Sequence, residues 1–358
     1  MALDMFVFGG DGMARARAHH YVPQAYLRQW AADVGHVAVR RRGNLTAFVA
    51  STRKVAQETD LYTVETEAGP SDFVERSLSR MEGVLPDVLA AMRRGNIPKA
   101  GSPGRALFAG LLALQFIRTP DRVEHQRFPE DALAAGGGVL PVPKAVIEAL
   151  LAERWGQVPH ESEVQGAWDY VNVFLRSGPR LTQADYLAAS FGTLPKLTDR
   201  LGSMRWSTEA TKGMPFVTSD QPLSLWVKHP DGGRGVGIDG AEEIRFPVGP
   251  RNLLVLRPDG REPSGLVPRS RVLSVNAHAG ATCRQMVIAE PNRTGLLEDL
   301  QLRDTRPMWK FNEGPLYESG PNGLEYQGEV IQSYRPYDDR VASEYAAGPY
   351  SSRPGSRQ

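Results

Sequence analysis

The 358-residue chain has a single cysteine, Cys283. Disulfide frameworks and thiolate zinc centres are therefore excluded within one chain, and a reducing compartment is the natural home. Cys283 sits among Ala281, Arg284 and Val287 and reads as a packing residue. Charge of one sign is lacking too. Lysine plus arginine number 42 against 41 aspartates plus glutamates, which argues against an extended nucleic-acid-coating surface and leaves a local basic cleft open. The one dense basic run, Arg40-Arg41-Arg42, reads as the solvated end of a hairpin. No apolar stretch is long enough to span a bilayer. The short run Met5 to Phe8 is preceded by Asp4 and closed by Gly9-Gly10, unlike a signal segment. A soluble, cytoplasmic protein with no membrane partner is expected. There is no internal repeat. The absence of GxxxxGK(S/T), HExxH, GxSxG and CxxC removes the phosphate loop, the zincin helix, the nucleophile elbow and the redox pair.

What is present divides the chain by pattern. Residues 1–18 read as a loosely ordered start. Residues 19–202 read as mainly helical with a short N-terminal hairpin. Pro23 suits a first helical turn, with Tyr26, Leu27 and Trp30 as its apolar stripe. His36 to Arg42 and Leu45 to Ala50 flank the turn Arg42-Gly43-Asn44. Asp72 and Glu75 form a capping pair for a helix that Pro86 must kink or restart. Ser102-Pro103 opens a long apolar helix that Thr119-Pro120 ends. Further helices are expected over 143–155, 161–176 and 182–201, after a Gly/Pro-rich loop at 134–143. Residues 203–318 read as mainly β, broken by a helix at 272–284 capped by Ser274, and residues 319–358 as a poorly ordered tail. The fold class predicted is α+β, a mostly helical N-terminal part packed as one unit on a mostly antiparallel β C-terminal part.

The long helix carries the sharpest signal. Leu107, Phe108, Leu111, Leu112 and Leu114 share a face, and Gln115 and Arg118 fall in the middle of it. A guanidinium among leucines is costly unless a carboxylate or a bound anion answers it. Glu75 and Glu82, seven residues apart, point nearly the same way at the border of the preceding apolar arc. They suit a divalent metal, a shared proton, or Arg118 itself. Of the neighbours His19 and His20, only one can face a given site in an extended segment. Asp220 ends a strand in a tight polar turn, as a ligand or as an Asx turn.

The order of these pieces resembles the bacterial proteins catalogued as domain of unknown function 4238. The resemblance rests on His20-Tyr21-Val22-Pro23-Gln24 with Tyr26-Leu27, Asp60-Leu61-Tyr62, the Glu75 to Glu82 helix and Gln115-Phe116-Ile117-Arg118-Thr119-Pro120. Trp206, Thr218-Ser219-Asp220-Gln221-Pro222, Phe246-Pro247-Val248 and Asn276 extend it. It covers roughly residues 19 to 290, departs at Gln221, and carries no settled activity. It implies that His20, Glu75, Glu82, Gln115, Arg118, Asp220 and Asn276 share a site.

Three readings follow. In the first, the protein is a metal-dependent hydrolase of nuclease or phosphoesterase type. Glu75, Glu82 and Asp220 hold magnesium or manganese, His20 is general base or ligand, and Arg118, with Gln115 and Asn276, completes the catalytic set. In the second, Gln115 and Arg118 bind a small anionic ligand in a non-catalytic sensor or interaction module. In the third, Arg118 pairs with Glu75 or Glu82 in a purely structural clamp.

Overall fold

Pro120 breaks the apolar helix directly after Arg118-Thr119, and two helices result where the chain changes direction. The structure is a computed structural model that describes residues 16–31, 35–67, 69–155, 158–177, 182–228, 237–259, 264–302, 310–320 and 323–334. The N-terminal start (1–15) and residues 335–358 of the expected tail lie outside the described residues.

In chain order the front half holds β1 (Ala18–His20), α1 (Gln24–Leu27), β2 (His36–Arg41), β3 (Phe48–Ser51), β4 (Gln57–Thr59), β5 (Val64–Thr66) and β6 (Gly69–Ser71). Then come α2 (Phe73–Met81), α3 (Leu85–Arg93), α4 (Pro103–Ile117), α5 (Pro120–Ala135), α6 (Lys144–Trp155), α7 (Glu161–Ser177), α8 (Gln183–Gly192) and α9 (Leu194–Ser203). The back half holds β7 (Arg205–Ala210), β8 (Thr218–Ser219), β9 (Ser224–Trp226), β10 (Glu243–Gly249), β11 (Asn252–Arg257), β12 (Gly265–Leu266), α10 (Arg269–Thr282), β13 (Met286–Ala289), α11 (Thr294–Glu298), β14 (Lys310–Gly320) and β15 (Gly323–Tyr334).

The expected division into a helical first part and a β second part does not form. Helices and strands interleave from residue 18 onward. One sheet, in the order β3-β2-β13-β8, takes two strands from the front of the chain and two from the back. Val39 lies opposite Ile288 and Arg41 opposite Met286. Both faces of this sheet are covered. Val37, Val39 and Ile288 enter the main core, while Ala38, Val287 and Ala289 enter a second one beneath α10 and α11. A strand covered on both faces needs a ladder partner on each side for its backbone groups, and the local hairpin supplies only one. The other comes from the distant β13. The second sheet, β12-β7-β11-β10-β9, is antiparallel except for the β12–β7 pair.

α4 is capped by Ser102, whose hydroxyl accepts from the Arg105 N–H at 3.2 Å. It buries Phe108, Ala109 and Leu112 in the main core, whereas Leu107 is exposed, off the predicted face. α5, α6 and α7 bury a core of their own around Phe128, Ile147 and Val171. The expected helix over 182–201 is split at Thr193, ahead of Pro195. α10 begins at Arg269 after Pro268, so Ser274 is not its cap. The stretch expected as a tail carries β15, paired with β14.

The run Arg40-Arg41-Arg42 is also corrected. Arg41 is exposed, but Arg40 is buried and donates to the carbonyls of Leu297, Glu298 and Leu300 at 2.8, 3.0 and 2.6 Å. Arg42 donates to those of Cys283 and Arg284 at 3.1 and 2.9 Å. The two cations close the carbonyl ends of α11 and α10, where the helix dipole favours them. Cys283 is fully buried, as its apolar neighbours indicated.

Asn276 does comparable work inside. It has no exposed surface; its Oδ1 accepts from Val217 N–H at 2.9 Å and its Nδ2 donates to the Pro215 carbonyl at 2.9 Å. Both amide ends are spent holding the segment that leads into β8. Asn276→Ala leaves two buried backbone groups unpaired and is expected to lower unfolding stability by roughly 2–4 kcal/mol in urea denaturation.

Candidate functional site

The α4–α5 corner aims side chains in two directions. On one side, Gln115 Nε2 donates to the Tyr21 carbonyl at 3.0 Å. Arg118, 2% exposed, pairs through Nη1 with Glu82 and donates through Nη2 to the His20 carbonyl. Tyr62 closes the end of α4 by donating its hydroxyl to the Arg118 carbonyl at 2.6 Å, and its ring lies 5.9 Å from the guanidinium carbon. Burial works against the Arg118 charge, and Tyr62 and Glu82 outweigh it, so its pKa lies above the ordinary value.

Glu75 and His20 adjoin this pair. Burial pushes the Glu75 carboxyl up to about 7, helped by Glu82 and opposed by Arg118 and the His20 backbone. Burial lowers the His20 pKa, with Arg118 adding to the shift and the backbone of Thr52 and Arg53 opposing it. Glu75 Oε2, His20 Nε2 and Arg118 Nε are buried with no hydrogen-bond partner. Near neutral pH the cluster therefore holds a carboxyl that can give a proton and a neutral imidazole that can take one. A narrow cleft runs to Arg118, Glu82 and Gln115 between walls that include Leu85, Phe108 and Phe246.

The neighbouring His19 faces elsewhere. It is fully buried, its Nδ1 accepting from the Tyr62 N–H at 2.9 Å and its Nε2 donating to the Ala16 carbonyl at 2.9 Å. It is a structural residue stacked on Tyr62.

On the other side of the corner, Asp121 and Glu124 of α5 meet Arg284. Its guanidinium pairs with Asp121 at 2.7 Å, with Glu58 at 2.5 Å and with Glu124. Asp220 belongs to this second cluster. Its Oδ1 accepts from the Arg284 N–H at 2.8 Å, and its Oδ2 from Gln285 and Met286 N–H at 2.7 and 3.2 Å. Burial raises its pKa to about 6 against those donors and the Arg284 charge. Gln221 adds a 2.6 Å bond to Asp121.

The structure thus brings His20, Glu75, Glu82, Gln115 and Arg118 together and assigns Asp220 and Asn276 to other duties. The proposed metal set of Glu75, Glu82 and Asp220 does not fit a divalent ion. Both Asp220 oxygens are held by backbone N–H groups and Glu82 is held by Arg118. Among the described residues no group of three or more His, Cys, Asp or Glu side chains is arranged to hold a metal. Arg284, the partner of Glu58, Asp121 and Glu124, is not marked by the sequence pattern. It stands between Cys283 and Gln285, so no apolar face around it marks it in the sequence as Arg118 is marked.

A third charged cluster lies between the five-stranded sheet and α10. It joins Glu209, Glu243, Arg245, Arg257 and Arg271. Its signal was Arg245 inside the apolar strand Ile244 to Val248.

Residues 18–293 match the family described as Protein of unknown function (DUF4238), and the chain belongs to that family. No curated protein and no solved structure matches it. No helix among the described residues is long and apolar enough to cross a membrane.

Two measurements test the geometry. Removing either partner of the buried pair leaves the other charge unanswered, so Arg118→Ala and Glu82→Ala are each expected to cost roughly 3–5 kcal/mol in chemical denaturation. Because the folded Glu75 pKa of about 7 lies above the ordinary 4.5, the protonated form favours folding. That contribution is full below about pH 4.5 and is lost as pH rises through 7. Glu75→Gln cannot lose it, so the Tm of the variant relative to wild type is expected to climb between pH 4.5 and 7 and then level off.

Proposed function

We propose that this member of the family is a hydrolase acting on phosphate esters or phosphodiesters, nucleic acid included, and that its chemistry is proton transfer by His20 and Glu75 beside Arg118. The observation that carries the reading is the set of three buried, partnerless atoms, Glu75 Oε2, His20 Nε2 and Arg118 Nε, on side chains that interact electrostatically. In this reading neutral His20 takes a proton from the attacking water as its oxygen bonds to phosphorus. Protonated Glu75 gives a proton to the leaving oxygen as the ester bond breaks, and Arg118 Nε donates to a phosphoryl oxygen. Gln115 fixes the Tyr21 carbonyl and so the segment that carries His20. Glu82 holds the guanidinium in place. A cytoplasmic, bacterial setting accompanies the proposal, on the resemblance and on the lone buried cysteine.

The metal-dependent version requires Glu82 to leave Arg118 and take up magnesium or manganese with Glu75. The closed Arg118–Glu82 pair supports a second reading, the purely structural clamp in which the guanidinium is answered from within; in a third, the cleft binds a small anionic molecule without turnover.

Hydrolysis of p-nitrophenyl phosphate, bis-p-nitrophenyl phosphate, single-stranded DNA and RNA, with EDTA or with added magnesium or manganese, separates these readings. Turnover in EDTA is expected, reduced roughly 10²–10⁴-fold by Glu75→Gln and by His20→Asn, with activity falling on the alkaline side as Glu75 loses its proton above about pH 7. Turnover only with metal returns the chemistry to the metal-dependent version. No turnover under any condition, with small molecules raising the Tm, leaves the binding reading.

A further inference from the structure

The cluster between the five-stranded sheet and α10 has an imbalance that the site at the α4–α5 corner does not share. Arg245, on β10, is 1% exposed. Its Nε donates to Glu243 at 2.7 Å, yet Nη1 and Nη2 are both buried with no partner. Glu243 is also engaged by Arg257 at 2.7 Å and by Arg271 at 2.9 Å. Glu209 is held by Arg271 through both oxygens, at 2.8 and 2.9 Å. The carboxylate that Arg245 uses is thus shared among three guanidiniums. Burial, with the Arg271 charge, lowers the Arg245 pKa to about 10, which leaves it charged at neutral pH.

Among the described residues Glu209 adds a weaker attraction, itself held by Arg271, so two carboxylates face the three guanidiniums of Arg245, Arg257 and Arg271. Trp226 offers its ring face, 4.4 Å from the Arg245 guanidinium carbon, and satisfies no N–H in the plane of the fork. His278, whose pKa burial pushes down to about 3, is neutral and donates its Nε2 proton to the Leu225 carbonyl at 3.1 Å. Arg271 stands in the first turn of α10, where the helix dipole adds positive potential. A buried guanidinium with two open NH₂ groups side by side matches one small anion.

We propose that the outer fork of Arg245 binds a small monovalent anion, a chloride or a carboxylate of formate size, as an internal counter-ion between β10 and α10. The anion accepts from Nη1 and Nη2 and supplies the negative charge that Glu243 spreads over three partners. The site is independent of the cleft at Arg118.

Thermal unfolding in sodium chloride, sodium formate and sodium phosphate, each matched in ionic strength to sodium gluconate, reads this directly. A saturable rise in Tm with chloride or formate over gluconate is expected for the wild type, and the stronger of the two identifies the ion. Phosphate is expected to act like gluconate. Arg245→Gln removes the fork and is expected to lose the specific rise. Should that variant not fold, Glu209→Gln keeps Arg245 and removes a competing negative charge. Its half-saturating anion concentration is expected to fall roughly tenfold. Chloride NMR line-broadening in the wild type, displaced by formate, gives a readout that folding alone does not move. Equal Tm values in chloride, formate and gluconate overturn the proposal, as does an undiminished anion response in folded Arg245→Gln.

Discussion

Arg118 is the charge around which this region is arranged. It lies where α4 can no longer continue, with an apolar core on its helix side, and only 2% of it is exposed. Glu82 and the His20 carbonyl supply what water would have supplied. Each of those partners is a commitment of another element. Glu82 fixes the junction of α2 and α3 against α4. The His20 carbonyl, with the Tyr21 carbonyl that Gln115 holds, fixes the segment after β1. The cost of an unpaired buried cation thereby sets the positions of three chain segments distant in sequence. The same corner turns Asp121 and Glu124 towards Arg284, so one proline-broken helix serves two ion clusters.

Arginine recurs at the interior joints. Arg105 answers its burial with the carbonyls of Pro98, Gly202 and Met204 and a 3.7 Å contact over Trp206. Arg40 and Arg42 do the same at the ends of α11 and α10. A flat guanidinium with several N–H groups can satisfy more than one helix-end carbonyl at once, which a lysine cannot. These residues join elements and offer no chemistry. What separates them from the corner at Arg118 is that these partners are backbone carbonyls, whereas Arg118 has Glu75, whose carboxyl burial pushes up to about 7, beside it.

Local pattern made several elements legible. The long helix, its Ser102 start and its end at Thr119-Pro120 followed from period and proline, and the loop before α6 from Gly136, Gly137, Gly138 and two prolines. Gly137 and Gly138 have φ of +71° and +78°, which other residues adopt rarely. The misplaced guanidinium was legible as well, because apolar residues around a charge are visible in the string. Sheet membership was not. Val37-Ala38-Val39 and Met286 to Ala289 read as separate short apolar runs, and nothing local to either says that they pair. Asp220 shows the limit most plainly. A carboxylate at a strand end suits a metal or three backbone N–H groups equally, and the choice depends on where residues 284–286 arrive.

The sequence alone determined where the long apolar helix starts and stops, that a buried cation needed an answer, and that disulfide and thiolate-metal chemistry were excluded within one chain, because each of these depends on residue identity and near neighbours. Tertiary structure decided which acid answers which arginine, which strands share a sheet, and that Glu75 and His20 meet beside Arg118 while Asp220 and Asn276 serve the backbone. Those outcomes depend on burial and on contacts between distant segments, whose energies exist only once the chain has closed around them.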